Sequence, residues 1–299
     1  RVGGDTPWSA NAYFNGQIDD VAIYPTALGI DDVREHYLAS GRTLPGMVAP
    51  ADPYGGAVWA SQPDFYWRLS ETTGTVAADV TANEAVGRYF NGTVKGSESG
   101  IGLVGDTSAT FDGTNDGVVT EGTYSNPSTF SQELWFKTTT TRGGKLIGFG
   151  NSQTGNSSNY DRHVYMLNGG QLRFGVYTGQ ENLVTSTKSY NDGKWHYMLA
   201  QQGADGMKLY VDSELVGTNP QTAAQDYTGY WRIGGDNTWG STSPYFAGQL
   251  DEAAVFDNAL TQTQVSSLYQ LGSELIPNDP PVAAFTRSVS DLSVDVDAS

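Results

Sequence analysis

The stretch "YFAGQLDEAAVFDNAL", Tyr245 to Leu260, decides the fold, because it is written twice: "YFNGQIDDVAIYPTAL" runs from Tyr13 to Leu28. The match continues at constant offset to Tyr37 and Tyr269. Upstream, "RVGGD" (Arg1 to Asp5) matches "RIGGD" (Arg232 to Asp236) with a one-residue slip in the loop between. Each copy reads as a strand ending in Gly-Gly-Asp, a Trp-containing polar loop, and a second, alternating strand. In the later copy Leu250, Ala254 and Phe256 sit among small or polar neighbours, as a half-buried strand requires. A short helix should follow. Thr261 with Gln264 forms a capping box, and Val265, Leu268 and Tyr269 make an apolar stripe. A repeat of such long period indicates tandem whole domains rather than a solenoid.

Between the copies lies a series of short β-branched or aromatic segments broken by Gly, Asn, Asp and Ser clusters. They include "DFYWRLSE", "SATFDG", "GVVTEG", "FSQELWFKT", "KLIGFGN", "HVYMLN", "QLRFGVY", "WHYMLAQQ", "MKLYVDSELVGT" and "YWRIGG". Their alternation predicts an all-β, two-sheet antiparallel sandwich. The "LYVDSELVG" hairpin should turn at Asp212-Ser213, although Gly would be the easier second turn residue. Trp67, Trp135, Trp195 and Trp231 fall inside strand patterns and are expected in the core.

Taken together, "YWRLSETTGTVAADVTAN", "FDGTNDG", "ELWFKTT", "YNDGKWHYMLAQ", "MKLYVDSELVG" and "GQLDEAAVFDNALT" resemble the laminin-G-like, concanavalin A-like jelly roll of bacterial extracellular proteins. The resemblance implies a complete jelly roll at residues 62–275, closed by a short C-terminal helix. Partial β domains are expected at both ends. Residues 1–41 resemble the C-terminal part of a preceding copy. "NDPPVAAFTRSVSDLSVDVDAS" in residues 276–299 resembles the start of a PKD-like β-sandwich. Residues 42–61, rich in Pro and Gly, read as a linker.

Composition narrows the function classes. Lys and Arg total 16 against 33 Asp and Glu, a net charge of −17, so nucleic acid and anionic membrane would be repelled. There is no cysteine, hence no disulfide, thiol nucleophile or cysteine-ligated zinc. No apolar run approaches the ~20 residues of a membrane span. These features, with the resemblance, suggest a secreted or cell-surface protein, bacterial rather than animal.

Catalytic motifs are not evident. His36 falls on the first copy's helix, His196 follows Trp195 in a strand motif, and His163 lies beside a polar segment. No G-x-S-x-G, H-E-x-x-H or phosphate-binding loop appears. Glycoside hydrolysis needs paired carboxylates, and Glu133 has no second one two or four residues along its strand. The chain is therefore expected not to be an enzyme. Calcium is the cofactor expectation. Related jelly rolls join an early loop to the last strand, which would bring Asp79 and Asn83 to Asp251, with Asp112 and Asp116 as a second cluster. The alternative is that these aspartates hydrogen-bond backbone in turns. For a sugar ligand, Trp239 with Asp236 and Asn237 occupies one polar loop, and Tyr160, Asp161 and Arg162 end another. Trp239 is either an exposed platform or a lid on the core. Function is thus expected to be non-catalytic glycan binding or adhesion, with a glycan or another extracellular protein, and neighbouring domains of the same protein, as partners. A structural spacer, or an accessory domain of an enzyme, is the alternative.

Overall fold

A computed structural model describes residues 2–4, 13–26, 28, 33, 36–37, 39–41, 49–103, 105–275, 285–290 and 293–298. The chain divides into two compact units, Arg1–Leu44 and Pro45–Ser299.

The larger unit is a sandwich of two sheets whose ladders are all antiparallel. The first sheet runs β15 (Glu214–Asn219), β14 (Gly206–Val211), β13 (Trp195–Gly203), β8 (Phe130–Lys137), β17 (Ala247–Phe256), β5 (Thr107–Asp112) and β4 (Val94–Glu98). A short β1 (Phe65–Trp67) also pairs with β17. The second runs β12 (Glu181–Thr185), β11 (Leu172–Tyr177), β10 (Tyr160–Met166), β9 (Gly144–Gly150), β16 (Thr228–Ile233), β6 (Gly117–Thr120), β3 (Gly87–Phe90) and β2 (Val76–Ala77). There β7 (Tyr124–Ser125) pairs with β16. The two-sheet antiparallel sandwich expected from the alternation, a jelly roll as the resemblance implies, is what forms.

Period-two alternation sorts the side chains. Phe130, Leu134 and Phe136 of β8 meet Ile147, Phe149, Val164, Phe174 and Trp231 of the other sheet in the main core. The alternate residue Trp135 points to the outer face. There it joins Tyr197, Leu199 and Phe256 under two helices, α1 (Pro53–Ala60) and α2 (Gln262–Ser273). Both faces of β8 and most of β17 are therefore covered, and their burial is nearly continuous. The capping box predicted for α2 is present, with Thr261 and Gln264 bonding reciprocally.

Two expectations are corrected here. Residues 42–61 are not linker throughout, because Pro53–Ala60 fold as α1. Asp52 caps it by accepting from the Gly55 N–H at 2.7 Å, Pro53 supplies a pre-set φ at the first turn, and Tyr54 and Val58 are fully buried. The Gly-Gly pair masks a helix whose stability comes from packing on Trp135 rather than from propensity. Trp195, at the start of β13, is half-buried rather than core, whereas Trp67, Trp135 and Trp231 are fully buried. The Asp212-Ser213 turn holds as read: Val211 faces Glu214, and both turn residues have positive φ (51° and 64°). β18 (Phe285–Ser290) and β19 (Ser293–Ala298) form a separate antiparallel pair.

The smaller unit reproduces the local geometry of the second copy. Gly4 bridges Tyr13 as Gly235 bridges Tyr245. Phe14 N donates to Gly3 O, and Phe246 N to Gly234 O, each at 2.9 Å. Gly3 and Gly234 have φ of 81° and 78°, and Asp20 and Glu252 have φ of 46° and 51°. In this unit Val21 and Ile23 are exposed, and Tyr24 stacks on His36. Trp8, the first copy's loop tryptophan, lies outside the described residues.

Candidate functional site

The outer face of the nine-stranded sheet carries the site. In β3, Tyr89 turns to the core, so Arg88 and Phe90 turn outward; their partners on β6 are Val119 and Gly117. The Phe90 ring lies where a side chain on Gly117 would stand, at 2.2 Å from its missing Cβ. Beyond the strand ends come Asn91 and Glu121, and the loop residues Gln153, Thr154 and Gly155 form the opposite wall. Together they line a cleft of about 680 Å³. Arg88 and Glu121 make an ion pair within it. Gln153 donates its amide to the carbonyls of Thr120 and Glu121, and Asn91 donates to Asn115 O.

A buried charge cluster holds the loop wall. Arg232, 1% exposed on β16, donates from Nη1 to the carbonyls of Ser152 and Gly155 at 2.8 and 2.7 Å, and its guanidinium lies 5.6 Å from the Phe90 ring centre. Asp236 accepts from the N–H groups of Ser157 and Asn237. It lies 3.6 Å from Lys145 Nζ and 3.9 Å from Arg232 Nε. Burial pushes the Asp236 carboxyl up, but Lys145, Arg232 and the Ser157 hydrogen bonds outweigh it and hold it below the usual carboxylate value. Burial pulls Lys145 down to about 8 against the attraction of Asp236. The Arg-x-Gly-Gly-Asp string is thus a loop-fastening device: the arginine grips one side of loop 151–159 and the aspartate the other.

The residues expected to touch a sugar are mostly buried, structural groups. Trp239 is not an exposed platform. It is 8% exposed, stands edge-on to His163 at 4.5 Å, and occupies the space left by Gly175, whose Cβ would meet its ring at 2.4 Å. His163 is itself buried in β10, and burial, with the Lys145 charge, keeps its pKa well below 6.5. Asp236 is the buried anchor just described. Asn237 latches the two loops, donating to Ser157 O and accepting from Asn156 Nδ2. Asp161 and Arg162 are fully buried: Asp161 accepts from Arg162, Tyr227 and Tyr177 N, and Arg162 also donates to Pro127 O, Asn126 and Gln225 O. Tyr160 is half-buried, its ring 5.4 Å from Lys145 Nζ.

The calcium ligand set is corrected as well. Asp79 Oδ1 accepts from the N–H groups of Tyr66 and Thr81, and Oδ2 from Thr81 Oγ1 and Ala85 N–H. Four donors occupy its lone pairs, which leaves none for a cation. Asn83 donates to Pro63 O and Asp64 O, tying the same loop. Asp251 accepts from Gly100 N–H and Glu252 N–H, and the carboxylates near it are Asp106 and Glu252. Among the described residues that trio is the group with spacing to share an ion. Its Glu252 is already bound by Tyr66 and by Arg68, which also pairs with Asp52. Asp112 and Asp116 form a turn, in which Asp116 accepts from Asp112 N–H and Asp112 from Thr114 N–H.

The two antiparallel sheets define a jelly-roll sandwich with a polar cleft on one outer face. A family model described as the concanavalin A-like lectin/glucanases superfamily matches residues 112–266, and the chain belongs to that superfamily. No curated protein matches. Among solved structures it is similar to Trypanosoma rangeli sialidase as a covalent intermediate with 2,3-difluorosialic acid. That match has 15% identity and a TM-score of 0.53, covering 83% of this chain and 38% of the sialidase. The same enzyme with sialic acid matches at 14% identity and a TM-score of 0.54, over 84% and 39%. Domain 4 of a GH43 extracellular arabinanase from Geobacillus stearothermophilus, in complex with arabinotriose, matches at 17% identity and a TM-score of 0.48, over 70% of this chain and 98% of the domain. The chain spans under two fifths of the sialidase chains, and at these identities the likeness is one of fold.

Proposed function

We propose that the jelly roll is a non-catalytic glycan-binding module of an extracellular protein, with its sugar in the Arg88–Phe90–Glu121–Gln153 cleft. The observation that carries this reading is the cleft itself. An aromatic ring forms part of its floor, amides and an ion pair line its sides, and its loop wall is fixed by a buried charge cluster. Sugar sites need such a preformed mix of apolar floor and oriented hydrogen-bonding groups. The superfamily is described as one of lectins and glucanases, both of which act on sugars. Binding without turnover fits the lining, whose one carboxylate, Glu121, is engaged by Arg88; two-carboxylate hydrolysis needs a pair about 5–9.5 Å apart across the bond.

Glycan-array binding by the full chain tests this, followed by titration of the best neutral or acidic hit. Arg88→Ala and Gln153→Ala should each weaken that binding about tenfold, ~1.4 kcal/mol, without lowering the melting temperature. An empty array, or variants that bind like the parent chain, would refute it. A second reading, a repeated structural spacer, draws on the recurrence of the Gly4–Tyr13 and Gly235–Tyr245 geometry in the two units.

A further inference from the structure

We infer that the cleft takes a neutral, hydroxyl-rich glycan and excludes sugars carrying carboxylate or sulfate. This deepens the binding role proposed above and rests on it. Arg88 is the one cation among the lining residues, and Glu121 already neutralises it. The neighbouring Arg232 offers no second positive charge to a ligand. It is 1% exposed, lies against Phe90, and spends its Nη1 donors on the Ser152 and Gly155 carbonyls. An anionic sugar entering here would lose water to meet a guanidinium whose charge Glu121 already offsets, and would face the second oxygen of that carboxylate.

The hydrogen-bonding inventory points the same way. Gln153 commits its amide nitrogen to the Thr120 and Glu121 carbonyls and Asn91 donates one N–H to Asn115 O, while the side-chain oxygens of both remain as acceptors. With the remaining oxygen of Glu121, the lining offers three side-chain acceptors. Sugar hydroxyls can donate to all three; a carboxylate or sulfate can donate to none. The Arg88 Nη groups, the second Asn91 N–H and the Thr154 hydroxyl remain as donors to hydroxyl or ring oxygens. At long range the chain's net charge of −17 opposes the approach of polyanionic glycans.

The test uses the full chain on an array that prints neutral gluco-, galacto-, manno- and arabino-oligosaccharides beside sialylated, uronate and sulfated glycans. The neutral set should exceed the acidic set by about tenfold or more. Glu121→Gln, which frees Arg88 and removes the repelling charge, should raise the acidic signal severalfold at unchanged melting temperature. A parent chain that favours acidic glycans overturns the neutral assignment and leaves sugar binding in place. A folded Glu121→Gln variant whose acidic signal stays at background overturns the ion-pair argument. An array with no signal from either set removes the binding role, and this inference with it.

Discussion

Replacing Asp236 with Asn tests the charge cluster that fastens the cleft wall. The substitution keeps the shape and one acceptor oxygen but removes the anion facing Lys145 and Arg232, both almost wholly buried. Removing one partner of a buried ion pair costs about 3–5 kcal/mol, since the remaining charge is stranded. For a domain of this size that corresponds to a fall in melting temperature of roughly 6–20 °C. The pH dependence has a definite sign. Lys145 titrates at about 8 in the folded protein and higher when unfolded, so the unfolded state binds more protons between those values and stability rises with pH there. Without Asp236 the folded value drops further, the window widens downward, and the total rise becomes larger. Urea unfolding at pH 7 and pH 9.5 should therefore show a large deficit at pH 7 that shrinks at pH 9.5, where Lys145 is neutral at little cost. A deficit below about 1 kcal/mol, or one equal at both pH values, would refute the assignment of this cluster as a buried charge network.

Asp79→Ala should cost about 2–4 kcal/mol by orphaning the donors of Tyr66, Thr81 and Ala85, and by the same amount in calcium and in EDTA; a loss confined to calcium buffer would restore the metal reading. Trp239→Ala should cost about 3–5 kcal/mol in urea unfolding, as emptying a buried aromatic site does, whereas weaker sugar binding at unchanged stability would mark it as a platform after all. His196 sits between Asp212 and Asp192, whose hydrogen bonds and charges outweigh burial and raise its pKa. His196→Gln should therefore lose stability below the unfolded histidine value near 6.5, with the difference from the parent chain fading as pH rises through the raised folded value. A difference that grows with pH would contradict this.

The fold could be read closely because its signals are local and repeated. The copied strand–helix string, the alternation of "FSQELWFK" and "MKLYVDSELVG", and the Thr261–Gln264 box each specify an element without reference to distant residues. The helix at Pro53–Ala60 was hidden, since Gly55 and Gly56 lower its intrinsic preference and the compensating contact with Trp135 is remote in sequence. The site was harder to see for the same reason. Trp239, Asp161 and Arg162 look available in a linear chain, yet Trp239 packs edge-on to His163, and the hydrogen bonds of Asp161 and Arg162 are spent inside the sandwich. The side chains that open onto the cleft, Arg88 and Phe90, sit in the plain string "GRYFNG". The available clue was parity: the core-facing Tyr89 places both neighbours outward, and Gly117 opposite leaves room for a ring.

The most direct test of the central claim is a map of where a bound sugar touches the protein. Backbone amide shifts in the full chain, titrated with the strongest array hit, should move at residues 88–91, 119–121 and 153–155 and saturate together with a single dissociation constant. Shifts concentrated instead around residues 201–210 and 259–262, or around 236–240 alone with the cleft silent, would contradict it.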